Sequence, residues 1–497
     1  MMEDLILSLD VGTTVIKCVL INTIGEERGV VEYHCGQISK LNGIVEQDNE
    51  ELWSLVIATL RESQQRVSSS QRVLGIVLST QGGSIIPVDE HFMPTNHMVT
   101  WLDSRALSIV QEWSADGTSQ KVRQISGWSP QPGLPFSVIA WFQRNDPETF
   151  KKTRYWLPVN AFLNYRLTGV SSTNPSMAAE MLLTDIRTCE WNQELCDIIG
   201  ISTDQLPPVF ASTAVVGTLT EQVCQQTNLP VGLPVFQGGQ DHSAEALALG
   251  VTGIDQGFLA CGTAWVINAV THHGNVELIP PQMDLNFHVI PDHWIASQFL
   301  GGFGAYPEWM VRHLWENQTD ANKRENRFAL MNQSLSDHQE LDPSLLFLPM
   351  NGSAFARNVP PGGGFTGLRL DHQAVDMTRA VLETSAFEVR WALDSLKQEG
   401  TQIQQLWMIG GAARSPVWPQ IIADVNGVSV SLTTYSHGPA MGATMLACLG
   451  LGIYKTVEEC SQYFHIQKKE VHPDLRLSNF YQSKFEKYQK AIQGFDW

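Results

Sequence analysis

Two stretches with the same local grammar stand half a chain apart and limit what this sequence can fold into. Residues 5–21 read LILSLDVGTTVIKCVLI and residues 257–270 read GFLACGTAWVINAV. Each is an apolar run, a Gly-Thr turn and a second apolar run, the signal of strand, tight turn, strand. Thr13 and Thr263 lie 250 positions apart in a chain of 497 residues. This placement reads as a diverged internal repeat, two similar domains each led by such a hairpin. Gly-Thr turns between strands are common, so coincidence is the competing explanation. The length itself suggests two to four domains at roughly 100–200 residues each.

The rest of the chain alternates helix and strand signals. Residues 49–68 carry apolar positions at helical spacing, and VLGIVL (73–78) is a buried strand that ends at Ser79-Thr80-Gln81-Gly82-Gly83. A loop-prone stretch spans 206–217. Residues 228–250 then read as strand, Gly-Gly turn and a helix starting at or near Asp241. Residues 374–397 form a long amphipathic helix, and 404–409 a strand followed by Gly410-Gly411-Ala412-Ala413. One helix follows through Trp418 to Gly427, another opens at Gly438, and a last one begins near Phe485.

Charge and cysteine content narrow the partners. Lys and Arg number 32 against 51 Asp and Glu, a formal charge of −19, with no basic run. Such a surface repels phosphate backbones and argues against nucleic-acid binding. The eight Cys are scattered without C-x-x-C spacing, as in a reduced, cytoplasmic protein. MMEDLILSLD reads as a first strand rather than a secretion signal, and no apolar run is long enough for a membrane span.

Several residues have the chemistry of a phosphate and hydroxyl site. Gly12, Thr13 and Thr14 can turn successive N–H groups and hydroxyls into one concavity, a nest for phosphate oxygens. Asp10 just before them is placed for Mg2+, and Lys17 in the return strand can add positive charge. An ordinary hairpin turn explains the same residues. Asp241 follows Gly238-Gly239-Gln240. It can be a plain helix N-cap, or a carboxylate in a cleft aimed at a substrate hydroxyl; the adjacent His242 reads as structural. The turn at Gly410, Gly411 and Ala412 lets backbone approach a nucleotide closely. Neither G-x-G-x-x-G nor a Walker A loop is present. Gln81, Trp101, Asp103 and Arg105, from two neighbouring polar-ended strands, combine amide, carboxylate and guanidinium with an aromatic wall, as sugar sites do. On these residues alone, an Asp103–Arg105 surface ion pair and a core Trp101 are the favoured explanation.

Taken in order, these segments resemble the FGGY family of carbohydrate kinases over about residues 4–455. LILSLDVGTTVIKCVLI looks like its first phosphate segment, VFQGGQDHSAEALALG like the segment holding the catalytic Asp, and ACGTAWVI like the second phosphate hairpin. LWMIGGAARSPVWPQIIADVNGVSV is similar to the adenosine segment, and YWLPVNAFLNYRLTG, LLFLPMNG and GGGFTGL match further family segments. The resemblance implies an α/β fold of two actin-like (ribonuclease H-like) domains with an interdomain cleft, expected at 1–245 and 246–497. It implies ATP and Mg2+ as cofactors and ATP-dependent phosphorylation of a hydroxyl on a ketose, polyol or related sugar. Asp241 would be the base, and Asp10 would organise Mg2+. Gly12, Thr13, Thr14, Lys17, Gly262 and Thr263 would serve the phosphates; Gly410, Gly411, Ala412 and Asn426 would border adenosine. Gln81, Trp101, Asp103 and Arg105 would contact the sugar. The implied partner is a small-molecule sugar or polyol, with no nucleic acid and no membrane; a homodimer is compatible.

The sequence departs from the family where xylulokinases carry Met-His after the Gln aligned with Gln81: here stand Gly82 and Gly83. A Lys central to one signature segment is missing from GLPFSVIAWFQRNDPETF, and the Asp-rich segment reads Thr173-Asn174-Pro175-Ser176. These changes bear on which substrate fits. The altered pocket also motivates a second reading, a catalytically weak sugar- or nucleotide-binding regulatory protein on the same fold. A filament or chaperone ATPase is disfavoured by the sugar-kinase-like middle segments.

Overall fold

The computed structural model describes residues 2–39, 43–315, 324–338, 340–350, 353, 362–464 and 466–494. Asn351 and Gly352, which end the LLFLPMNG segment, lie outside them, as do the last three residues of the expected C-terminal helix.

Two mixed sheets dominate. The first runs in the order Val215–Thr218, Pro234–Gln240, Gln71–Thr80, Glu3–Val11, Val15–Asn22, Glu27–His34. Its opening hairpin pairs Glu3–Val11 antiparallel with Val15–Asn22, and Glu3–Val11 also runs parallel to Gln71–Thr80. The second runs Asp284–Phe287, Trp294–Gly301, Trp265–Thr271, Gln256–Cys261, Gln405–Gly410, Ser429–Thr433, Lys468–Val471. There Gln256–Cys261 pairs antiparallel with Trp265–Thr271 and parallel with Gln405–Gly410. Six strands therefore repeat one pattern of neighbours and directions in both halves, with Asp284–Phe287 as an addition. The shared hairpin grammar at Thr13 and Thr263 has a common architecture behind it, which coincidence does not produce.

Local signals account for most elements. Asp48 caps the helix Asn49–Arg66 by accepting from Glu50 N and Glu51 N. Gly427, at φ 65°, ends the helix Trp418–Asn426 in the left-handed region that glycine favours. The stretch 206–217 is loop except at its end, where Val215–Thr218 adds an edge strand. Residues 100–105 differ more. They form a turn after the two-residue strand Met98–Val99, which belongs to a separate five-stranded sheet with Val45–Gln47 and Ile85–Val88. Gln81 and Trp101 thus do not come from neighbouring strands of one sheet.

One helix from late in the chain packs on the first sheet. Gly438–Gly450 puts Ala440, Met441, Ala443 and Leu446 into a core with Ile6, Val19, Val77 and Phe236. Ser8 Oγ donates to Ala440 O at 2.8 Å. The same helix crosses the helix Asp241–Ala248 with almost no gap: a Cβ added to Gly442 would sit 1.9 Å from Ala244 O. That distance requires glycine. Alanine gains about 1 kcal/mol of helix propensity, whereas overpacking costs about 1–3 kcal/mol, and the blocking atom is backbone that cannot swing aside. Gly442→Ala is therefore expected to lower the thermal unfolding midpoint; an equal or higher midpoint by calorimetry would contradict the close crossing.

Candidate active site

The strand Pro234–Gln240 carries a bulge between Phe236 and Gly239 where it runs beside Gln71–Thr80. Gly238 sits there at φ 67°, and any Cβ would meet Leu78 O at 1.7 Å. The bulge re-aims the chain so that Asp241 begins a helix at the edge of a cavity of about 610 Å³ between the two halves. Gln240 caps that helix, its side chain accepting from Ser243 N at 2.9 Å, so Asp241 is not the N-cap. Asp241 Oδ1 accepts from Gln240 Nε2 at 2.5 Å and from His242 N at 2.8 Å. Its Oδ2 has no hydrogen-bond partner among the described residues. His242 also lines the cavity, its ring edge-on to Phe258.

The first half supplies the cavity with Thr13, Gln81, Gly82, Gly83, Trp101 and Glu180, among others. The second supplies Ala260, Ala264, Val266, Asn268, Asp284 and Asn286. Trp101 is 43 % exposed and stands at the rim. A relay of hydrogen bonds fixes this side. Trp101 Nε1 donates to Thr13 Oγ1 at 3.0 Å, and Thr13 Oγ1 donates to Gln81 Oε1 at 2.6 Å. Gln81 Nε2 then donates to Gln47 Oε1 at 3.2 Å. The Thr13 hydroxyl is thereby engaged, and the exposed turn residue is Thr14.

A second cavity of about 470 Å³ is lined by Cys261, Gly262, Thr263, Gly304, Gly411, Ala412, Ser415 and Trp418, among others. The hairpin 256–271 is the wall the two cavities share: Ala260, Ala264, Val266 and Asn268 line the first, Gly262 and Thr263 the second. Gly410 stands at φ 90°, and a Cβ on it would sit 2.7 Å from Cys261 O. Only glycine lets this strand end lie so close to the hairpin.

Asp10 pairs with Lys17 across the first hairpin and with Ser79 on the neighbouring strand. Burial and the nearby Asp241 push its carboxyl up to about 6, against the pull of Lys17 and His437.

Several sequence-expected residues line neither cavity, Asp10, Gly12, Thr14, Lys17 and Gly410 among them. Asp103 and Arg105 do not line the cavity. Arg105 Nη2 donates to Glu46 Oε1 at 2.8 Å and to Asp103 Oδ2 at 2.9 Å, with side chains at most 4 % exposed. Asp103 Oδ2 also accepts from Val45 N at 2.7 Å. This is a buried ion cluster that anchors the turn carrying Trp101, not a surface pair. Asn426, at the end of Trp418–Asn426, donates through Nδ2 to Ile422 O at 2.7 Å and lines neither cavity.

Glu180, Trp128, Asp284 and Asn286 line the first cavity without having been singled out from sequence. Glu180 leaves one trace there, a single acid in the apolar run MAAEMLL. A buried charge with no neighbour of opposite sign is a functional signal.

Comparison with known proteins agrees with this architecture. Residues 5–248 match the model of the FGGY family of carbohydrate kinases, N-terminal domain, and residues 258–451 that of its C-terminal domain. The chain is 27 % identical over 495 residues to L-xylulose/3-keto-L-gulonate kinase of Escherichia coli, covering 98 % of this chain and 97 % of that one. It is 25 % identical over 503 residues to a xylulose kinase of Staphylococcus epidermidis, covering 98 % and 96 %. Its fold matches xylulose kinase from Rhodospirillum rubrum with TM-score 0.90 at 24 % identity, covering 98 % of each chain. Gluconate kinase from Lactobacillus acidophilus matches with TM-score 0.88 at 24 % identity, covering 99 % and 98 %. With both family models matched in order over two actin-like domains, the chain belongs to the FGGY family of carbohydrate kinases and uses ATP to phosphorylate a small carbohydrate.

Proposed function

We propose that Asp241 is the base of this kinase and that the cavity beneath Trp101 holds the acceptor sugar. The observation that carries this reading is the uncommitted Oδ2 of Asp241, set in the wall of an interdomain cavity that adjoins the Gly262–Thr263 turn. The acceptor hydroxyl attacks the γ-phosphorus. As the new P–O bond forms and the bond to the leaving ADP breaks, the hydroxyl proton passes to Asp241. The transition state is loose, so holding the two reactants in line matters more than a strong base. Gly12, Thr14, Gly262 and Thr263 offer backbone and hydroxyl donors to the phosphates, while Thr13 acts mainly through its relay to Gln81 and Trp101. Lys17 faces Asp10 and supports charge there. Gly410, Gly411 and Ala412 border the nucleotide. Asp103 and Arg105 hold the turn of Trp101 in place. Among the named relatives, the xylulose kinases motivate a ketose, a xylulose-like pentulose among them, as acceptor, whereas the 3-keto-L-gulonate and gluconate kinases motivate a sugar acid. We place the protein in the cytoplasm and the domain border just after the helix Asp241–Ala248, because the position expected at 245/246 falls inside that helix.

Mg2+ fits the carboxylates here. Glu245 lies one turn beyond Asp241, and burial with Asp10 and Asp241 nearby pushes it up to about 8. Asp10 is raised by burial and by Asp241. Burial and neighbouring acid charge raise both Asp10 and Glu245, and a cation would offset that charge. Their oxygens are the hard donors Mg2+ prefers. Among the described residues no three His, Cys, Asp or Glu side chains are arranged to hold a metal by themselves. Phosphates and water would complete the shell, with Asp10 the protein's contribution. When bound, the ion neutralises charge developing on the transferred phosphoryl group.

Two outcomes test this. Asp241→Asn keeps the shape and loses the proton acceptor. Its kcat in an ADP-release assay is expected to fall roughly 100- to 10,000-fold, with nucleotide affinity little changed; turnover equal to wild type would contradict the assignment. The second concerns Glu245. Its folded value of about 8 exceeds its ordinary 4.5, so between them the folded state binds a proton that the unfolded state has lost. Stability therefore falls as pH rises through that window. Glu245→Gln removes the effect, and its unfolding midpoint should gain on wild type steadily from pH 4.5 to 8. Parallel pH curves for the two proteins would show that the acids do not crowd one another.

A further inference from the structure

The acceptor cavity carries more acid than proton abstraction requires. Asp241, Glu180 and Asp284 all line it, and among the described residues no Lys or Arg does. The one Arg on the turn of Trp101 is taken up by Asp103 and Glu46.

Glu180 stands out by its placement. It is 7 % exposed, and its Oε1 accepts from Asn286 Nδ2 at 3.2 Å. Its Oε2 has no hydrogen-bond partner among the described residues. That oxygen occupies the space where a side chain at position 82 would begin: a Cβ on Gly82 would lie 1.4 Å from it. The missing side chain at 82 and the acid at 180 are therefore one device. Any residue other than glycine at 82 would require the Glu180 carboxyl group to move aside. Trp128, in the same lining, has its buried indole N–H without a partner.

Buried polar atoms left unpaired are costly, so a ligand that pairs them is favoured. Burial, with Asp241 and Asp284 nearby, pushes the Glu180 carboxyl well above the usual carboxylate range. In its acid form it donates one hydrogen bond and accepts others, and a sugar hydroxyl matches it in either protonation state. A carboxylate ligand meets the opposite situation. It would enter a space beside Asp241 and Asp284 whose described lining has no Lys or Arg, His242 being the one basic side chain there, so its desolvated charge is poorly compensated.

On the reading of this cavity as the acceptor site, we propose that Glu180 is a specificity residue that selects an uncharged polyhydroxy substrate, a ketose or alditol, and rejects sugar acids of the same length. The test is an ADP-release assay over matched pairs, each a neutral ketose or alditol and the aldonate or ketoaldonate of equal carbon number. Wild type is expected to favour the neutral member in kcat/KM by roughly 100-fold. Glu180→Gln, which cannot ionise and offers an amide donor to a carboxylate, should narrow that gap. The change should fall mainly on KM. Sugar acids used by wild type as well as their neutral partners would overturn the proposal, as would an unchanged gap in Glu180→Gln. Calorimetric titration of the same pairs, with ADP and Mg2+ present, separates this proposal from that for Asp241. A neutral sugar that binds without being phosphorylated supports selection by Glu180 and contradicts the proton-acceptor reading. Binding of sugar acids alone, or of neither class, overturns the selection.

Discussion

The arrangement depends on one backbone-to-backbone approach. The helix Gly438–Gly450 lies against the helix Asp241–Ala248 so closely that Gly442 has no room for a Cβ beside Ala244 O. Gly438 faces a side chain instead, with the Glu245 carboxylate 1.9 Å from where its Cβ would stand. The first helix also covers the opening strand through Ser8 and Ala440. Asp241 therefore starts from a helix clamped by a late segment of the chain, on the sheet that carries Asp10. Interiors are close-packed and yield little, so the spacing of these two acids is set by the packing of glycine on backbone rather than by flexible side chains.

The hairpin 256–271 does the complementary task. Its side chains divide between the two cavities, and small residues at 260, 262 and 264 keep the wall thin. In the proposed reaction the phosphoryl group passes at the turn, where Gly262 and Thr263 end one cavity and Ala264 begins the other. A thin wall formed by tight turns allows donor and acceptor to approach without a large rearrangement of either sheet. Burial, with acid neighbours, raises both Asp10 and Glu245, and in the proposed reaction a cation would offset that charge.

What the sequence made legible was local or periodic. Both hairpins, the strand ending at Thr80, the bulge glycines before Asp241 and the long helix Ala374–Gln398 all carry short-range signals. The repeated strand order was legible only as two Gly-Thr turns at matching places. Residues whose fate depends on distant partners were not legible. Arg105 looked available to a sugar, but Glu46, far away in sequence, completes a buried cluster with it and Asp103. Asn426 lay near the adenosine-like segment, yet its amide turns back on its own helix at Ile422 O. Glu180 was missed for the converse reason. Its importance comes from the empty position at Gly82, nearly a hundred residues earlier, and no periodicity links the two. Gly82 and Gly83 were visible as a departure from related kinases, but what fills the vacated space is a three-dimensional fact.

The central claim is that an acceptor hydroxyl meets Asp241 in the cavity beside the second hairpin. A crystal structure with a non-hydrolysable ATP analogue, Mg2+ and the best acceptor tests it most directly. The account predicts one sugar hydroxyl within about 2.6–3.2 Å of Asp241 Oδ2 and in line with the γ-phosphorus, with the phosphates at Gly262 and Thr263. A sugar bound outside this cavity, or with Asp241 beyond hydrogen-bond reach of every hydroxyl, would contradict it.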